Sequence, residues 1–271
     1  MRLAPIFYIF FLFVPFIPNV AYCYGDILFK PLTANPYEGR VGAMTQFGKE
    51  KLRLDIGNTS DLYRFSPAES LQCSAGADFF TYTRLRSEGN FKFPVETSDY
   101  YFGVNSSALA PIGNDWTGAT RFRVAHISSH LVDGLADSAG HFTEKQPFVY
   151  SREFFDLTFA ALKNGARLYC GISYVYSRQP RSAEPFIPQA GADLHCPLSG
   201  LFEFQGGCDA KLIGIDGAYV PMYSAQAGIA LKTSPDRGIS LNLYYFGGRN
   251  IHGMFFRERD EYLALGFQTQ F

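Results

Sequence analysis

Apolar and polar residues alternate with a period of two along most of this chain. In the closing EYLALGFQTQF, Leu263, Leu265, Phe267, Thr269 and Phe271 share one side, and Tyr262, Ala264, Gly266, Gln268 and Gln270 the other. ISLNLYYF sets Ile239, Leu241, Leu243 and Tyr245 against Ser240, Asn242 and Tyr244, and RLYCGISYVYS and LRLDIG repeat the pattern. Successive side chains of a strand point to opposite faces, so this period predicts strands, and patterns of helical period are nearly absent. Twelve spans follow: 40–47, 51–60, 72–84, 96–108, 116–131, 147–162, 167–177, 186–196, 200–214, 220–233, 237–250 and 261–271. Each is near the ~10 residues of a tilted membrane strand, and ten or fourteen strands also fit the pattern.

Such alternation suits a soluble sandwich, with the apolar face as core, or a membrane barrel, with the apolar face on lipid. The N-terminus tips the balance. Met1-Arg2 is a short positive region, IFYIFFLFVPF (6–16) is an apolar one, and NVAYC (19–23) offers small residues before a cleavage point. This is the layout of an export signal. A lipobox ending at Cys23 fits less well, because Tyr22 stands where a small residue is needed. No later segment approaches the ~20 apolar residues of a membrane helix. An exported chain with a terminal aromatic strand, and with Tyr or Phe near many strand ends, favours the barrel. The expected architecture is all-β: a transmembrane antiparallel β-barrel of about twelve strands, with a signal peptide at 1–23, a pre-barrel or plug segment at 24–39 and the barrel at 40–271.

The connections set a phase. KNGA (163–166) and SPD (234–236) are tight, whereas 131–146 and 250–260 are long. Barrels of this kind have short periplasmic turns and longer outer loops, which fits a periplasmic start, with FGKE (47–50) as an exception. The net charge of -1 over 271 residues gives no electrostatic reason to expect nucleic acid. Membrane lipid is the expected partner. Cys73, Cys170, Cys196 and Cys208 show no CxxC spacing, so zinc is not expected; Cys196 and Cys208 either close a loop disulfide or stay unpaired.

One stretch carries candidate chemistry. In RFRVAHISSHLVDG (121–134), Phe122, Val124, His126 and Ser128 fall on the apolar, lipid-facing side, and Arg121 and Arg123 on the lumen side. On the next strand Ser151 and Glu153 share the parity of Phe155, Leu157 and Phe159, while Arg152 and Asp156 point inward, where they can pair with the arginines. Polar residues facing lipid cost free energy, so a cluster of them invites a functional reading. A histidine two residues from a serine on one face can take its proton, and a carboxylate can orient the imidazole. That assigns Ser128 as nucleophile, His126 as base, and Glu153 or Ser151 as the orienting group for acyl-ester hydrolysis. The competing reading is that the strand stops before 126 and HISSH opens a solvated loop. His130 and Asp133 fit a turn cap better than a metal site, RERDE (257–261) a solvated outer loop, Trp116 an interfacial anchor, and the pairs Gly206-Gly207 and Gly247-Gly248 bulges or turns.

The H-x-S placement resembles outer membrane phospholipase A, a twelve-stranded barrel with an outward-facing His and Ser, and lipid A deacylases have a similar pair. The resemblance implies His126 as base, Ser128 as nucleophile and a lipid substrate; by resemblance only, it also brings in calcium and a homodimer. The sequence departs in following Ser128 with Ser129 and His130, and the third member of the phospholipase site, an Asn, has no secure counterpart. FKPLTANPYEGR, LRLDIGNTSDLYRF, RFRVAHISSHLVDG and YYFGGRN…YLALGFQTQF resemble a bacterial barrel family catalogued as domain of unknown function 1207. That likeness supports the barrel and brings no activity. An enzyme and a non-enzymatic narrow channel, receptor or structural barrel therefore both remain open. The barrel itself predicts co-fractionation with outer membranes and a heat-modifiable gel mobility; a soluble, heat-insensitive protein would refute it.

Overall fold

The alternation is realised as twelve antiparallel strands among residues 27–234 and 237–270, which the computed structural model describes. They are β1 (Val41–Gln46), β2 (Lys51–Ala68), β3 (Leu71–Arg86), β4 (Val95–Gly113), β5 (Trp116–Leu131), β6 (Tyr150–Lys163), β7 (Ala166–Gln179), β8 (Phe186–Pro197), β9 (Phe202–Ile215), β10 (Ala218–Ser234), β11 (Arg237–Arg249) and β12 (Arg259–Gln270). Each pairs with its neighbours in sequence, and β12 closes on β1, from Val41↔Thr269 to Gln46↔Ala264. Closure leaves no free edge, the condition for crossing lipid with strands. Every expected span holds a strand, and β2 and β4 run well past theirs. β5 continues through HISSH to Leu131, so that stretch is not a loop. The expected signal at 1–23 lies outside the described residues.

Turn chemistry sets the register. Asn164-Gly165, Asp216-Gly217 and Asn114-Asp115 all take positive φ at both positions, the geometry of two-residue hairpin turns whose twist matches the strands. The 216–217 turn lies at the end that carries the long loops, so it joins 47–50 as a short connection there.

The two faces separate as the period requires. Leu241, Leu243, Leu263 and Phe267 stand on the outside, each about half exposed. The lumen is filled except for a cavity at the short-turn end. Toward the long-loop end it holds a cluster including Phe80, Tyr82, Tyr101, Phe154 and Phe246, with Phe80 stacked on Tyr101 at 4.4 Å. Loop 250–258 roofs this cluster with Met254 and Phe255. From the other end, residues 27–40 thread into the barrel. Their irregular backbone is satisfied by the wall: Arg167 donates to the carbonyls of Lys30 and Pro31, Arg53 to Pro36 and Ser224 to Ala34. Irregular backbone is tolerated at membrane depth only where protein supplies such partners.

Glu38, on this inserted segment, forms the central ion cluster. Its carboxylate accepts from Arg121 at 2.6 and 3.1 Å and from Arg123 at 2.8 and 3.3 Å, and Arg123 also reaches Asp78 at 3.1 Å. Arg121 and Arg123 do point inward, but their expected partner differs. Asp156 stands opposite Arg123 in register yet bonds Thr158 and Ser173, while Arg152 lies over the Tyr150 ring. The inserted carboxylate binds both guanidinium groups at once, through both of its oxygens.

Two other expectations change. Cys196 pairs with Phe204 and Cys208 with Ala192, so the two thiols are four residues out of register, roughly 13 Å along the strands. That exceeds the span of a disulfide, and all four described cysteines are free. The glycine pairs form neither bulges nor turns, since the ladders run through them in register. They serve close approach instead: a Cβ on Gly207 would meet Thr33 of the inserted segment, and Gly248, at φ 146°, lies against Met222.

Replacing Glu38 with Ala leaves the buried Arg121 without a carboxylate and Arg123 with Asp78 alone. The expected loss is about 3–5 kcal/mol of stability, read as a lower temperature for the heat-modifiable gel shift; an unchanged transition would contradict the role given to Glu38.

Candidate functional site on the outer surface

β5 and β6 bring the four sequence candidates together. The ladder sets His126 opposite Glu153 and Ser128 opposite Ser151, all on the lipid-facing side. Ser128 and His126 stand three and five residues before Leu131, near the long-loop end of β5. His126 Nδ1 lies 2.9 Å from Glu153 Oε1, and each side chain keeps 28% of its surface accessible. Ser151 Oγ donates to the same carboxylate oxygen at 2.7 Å. A carboxylate only accepts, so Nδ1 carries the hydrogen and Nε2 of the neutral ring is left as a proton acceptor. Ser128 makes no hydrogen bond to His126; its side chain shares the face, two residues along the same strand.

Three contributors escaped the sequence reading. Phe102 of β4 stacks on the imidazole at 4.8 Å and 25°, fixing the ring plane. Tyr100, opposite Ser128, meets His130 edge-on, and Asp133 opens a 3-10 turn. Ser177 is the least foreseeable. The β6–β7 register shifts between Glu153 and Phe154, and this bulge turns both Tyr176 and Ser177 outward, with Ser177 opposite Glu153 in the ladder. Bulges re-aim side chains in this way. Strict alternation would have placed Ser177 in the lumen.

Calcium does not fit this cluster. It holds one carboxylate, Glu153, whose Oε1 already accepts from Ser151 and His126. Among the described residues no three His, Cys, Asp or Glu side chains gather as metal ligands, whereas calcium takes six to eight oxygens.

The family model described as "protein of unknown function (DUF1207)" matches residues 19–271. The chain belongs to the DUF1207 family. No curated protein matches it. Among solved structures, the DUF1207 barrel is similar to outer membrane phospholipase A from Escherichia coli, with 12% identity, a TM-score of 0.55, and coverage of 88% of this chain and 92% of that one. The Salmonella typhi outer membrane phospholipase, a dimer with bound calcium, gives 12% identity, a TM-score of 0.56, and coverage of 89% and 93%. At such identity the likeness establishes the fold: the DUF1207 chain is a closed twelve-stranded outer-membrane barrel.

Directly across β5, the inward neighbour of the site locks the barrel mouth. Ser129 Oγ accepts from the Met254 amide at 3.1 Å, and the Asp99 carboxylate accepts from Gly253 N and His252 Nδ1, each at 2.7 Å. A Cβ on Gly253 would strike the Tyr150 ring, so only glycine lets the loop come this close. The two serines of HISSH thus serve opposite faces.

RERDE is mostly solvent-exposed, as expected, and charges within it are paired. Glu258 pairs with Lys145, Asp260 with Lys49 and Arg257 with Asp216, tying the outer loops together.

Burial pushes His252 below the ordinary histidine value of 6.5; Asp99 opposes this, while Arg84 and Arg53 add to it. The closed loop therefore binds fewer protons than the open one. Closure is at full strength above about pH 6.5 and weakens as pH falls below it. Amide exchange at Gly253 and Met254, corrected for intrinsic pH dependence, should rise by up to about tenfold per pH unit below that point. A His252→Gln variant should lose this dependence.

Proposed function

We propose that the DUF1207 barrel is a lipid acyl-ester hydrolase acting at its own outer surface. Ser128 is the nucleophile, His126 the general base, and Glu153 holds the imidazole and stabilises its cation. Ser151 holds Glu153 in place. The observation that carries this reading is the 2.9 Å His126–Glu153 pair on the lipid-facing side, beside a serine of the same parity. Such a site needs no channel, because acyl esters of the surrounding bilayer already lie against it. Ser128 Oγ attacks the ester carbonyl, its proton passes to His126 Nε2 and then to the leaving alcohol, and water releases the acyl group. Nucleophile–base hydrogen bonds are often long in unliganded enzymes and tighten with substrate, so the open Ser128–His126 pair is compatible with the role.

A second reading, a structural barrel without chemistry, is favoured by that same absent hydrogen bond and by a lumen filled from both ends. The two readings separate in one assay. Folded protein should release fatty acid from phospholipid or lipid A in mixed micelles. Ser128→Ala should lower the rate by about 10³-fold or more, and Glu153→Ala by roughly 10–10⁴-fold. Folded wild-type protein that releases no fatty acid from any of these lipids would leave the structural reading.

A further inference from the structure

The end of the barrel with the short turns encloses a cavity of about 560 Å³, remote from the outward-facing cluster. Phe29 and Leu32 of the inserted segment form its apolar side together with Leu109 and Leu162 of the wall, and Lys30 and Lys163 also line it. Three further lining residues make a continuous hydrogen-bonded chain. Thr33 comes from the inserted segment, His195 from β8 and Glu203 from β9. Thr33 Oγ1 lies 3.1 Å from His195 Nε2, and His195 Nδ1 lies 3.2 Å from Glu203 Oε1.

The acceptor-only carboxylate fixes the tautomer. Nδ1 donates to Glu203, so Nε2 accepts from the Thr33 hydroxyl. Hydroxyl, imidazole and carboxylate then stand in the order and contact of a nucleophile, its base and the group that orients the base. The hydroxyl–imidazole bond left open at Ser128 is already made here. A tether that merely pinned the segment to the wall would be served as well by a buried pair. Here the imidazole keeps 37% of its side chain accessible and borders a space large enough for a small substrate.

We propose that Thr33, His195 and Glu203 form a second acyl-transfer centre, independent of the outer one, which hydrolyses small esters entering from the short-turn end. The cavity's apolar side suits a short acyl chain. Thr33 Oγ1 attacks the carbonyl carbon while its proton passes to His195 Nε2. The C–O bond to the leaving alcohol breaks, and that oxygen takes the proton from His195. Water then attacks the acyl-threonine, giving a proton to His195, which returns it to Thr33 Oγ1 as the carboxylic acid leaves. Glu203 balances the imidazolium in both steps.

The test uses the full-length barrel carrying Ser128→Ala, so that the outer serine is silent, with an alkyl fluorophosphonate as probe and peptide mapping of the adduct. The expected result is an adduct on Thr33. It should persist in Thr33→Ser, vanish in Thr33→Val, and form about 100-fold more slowly in His195→Ala or His195→Gln. Heat-modifiable mobility identifies the folded variants. No adduct at Thr33 in folded protein, or equal labelling without His195, overturns the proposal. Wild-type protein labelled at Thr33 but not at Ser128 would sink the outer site and leave this one standing.

Discussion

The closed antiparallel ladder is the constraint on which the rest depends. Lipid offers no hydrogen bonds, so every strand must be paired on both sides and the sheet must meet itself. Once closed, the two-residue side-chain period leaves each position one of two environments. Phe122 and Leu263 meet acyl chains, whereas Arg121 and Ser240 meet the lumen. A slip of one residue would reverse every assignment on a strand. The hairpin turns at 114–115, 164–165 and 216–217 guard against it with backbone angles that admit one twist.

The plugged lumen follows from that closure. Its buried charges have no water to solvate them, so each must find a partner in the protein. The inserted segment answers with Glu38, and the wall arginines Arg53 and Arg167 answer its bare carbonyls. At the opposite end, loop 250–258 sits down through Asp99 and Ser129. The barrel is thus closed twice, by an ionic plug from one side and an aromatic roof from the other.

The strand count, the inward arginines and the shared face of His126, Ser128, Ser151 and Glu153 were legible in the sequence, because parity is a local property that survives any tertiary arrangement. The pairing of His126 with Glu153 could be guessed only by assuming how neighbouring strands are staggered. The partner of Arg123 could not be read. Asp156 has the right parity and lies directly opposite, yet the guanidinium turns to Glu38, 85 residues away in sequence. Ser177 was invisible because a bulge breaks the very alternation on which the reading relied.

The sequence by itself determined the class of fold and the face of nearly every strand residue, since a period of two in hydrophobicity has one physical cause in a strand that borders lipid. Only the tertiary structure decided which side chains touch. Contacts across strands depend on stagger and on one-residue irregularities, and contacts across the lumen depend on a segment with no period at all. Thr33, His195 and Glu203 illustrate this: none stands out in the chain, and they meet because a threaded loop, two strands and an unfilled volume coincide.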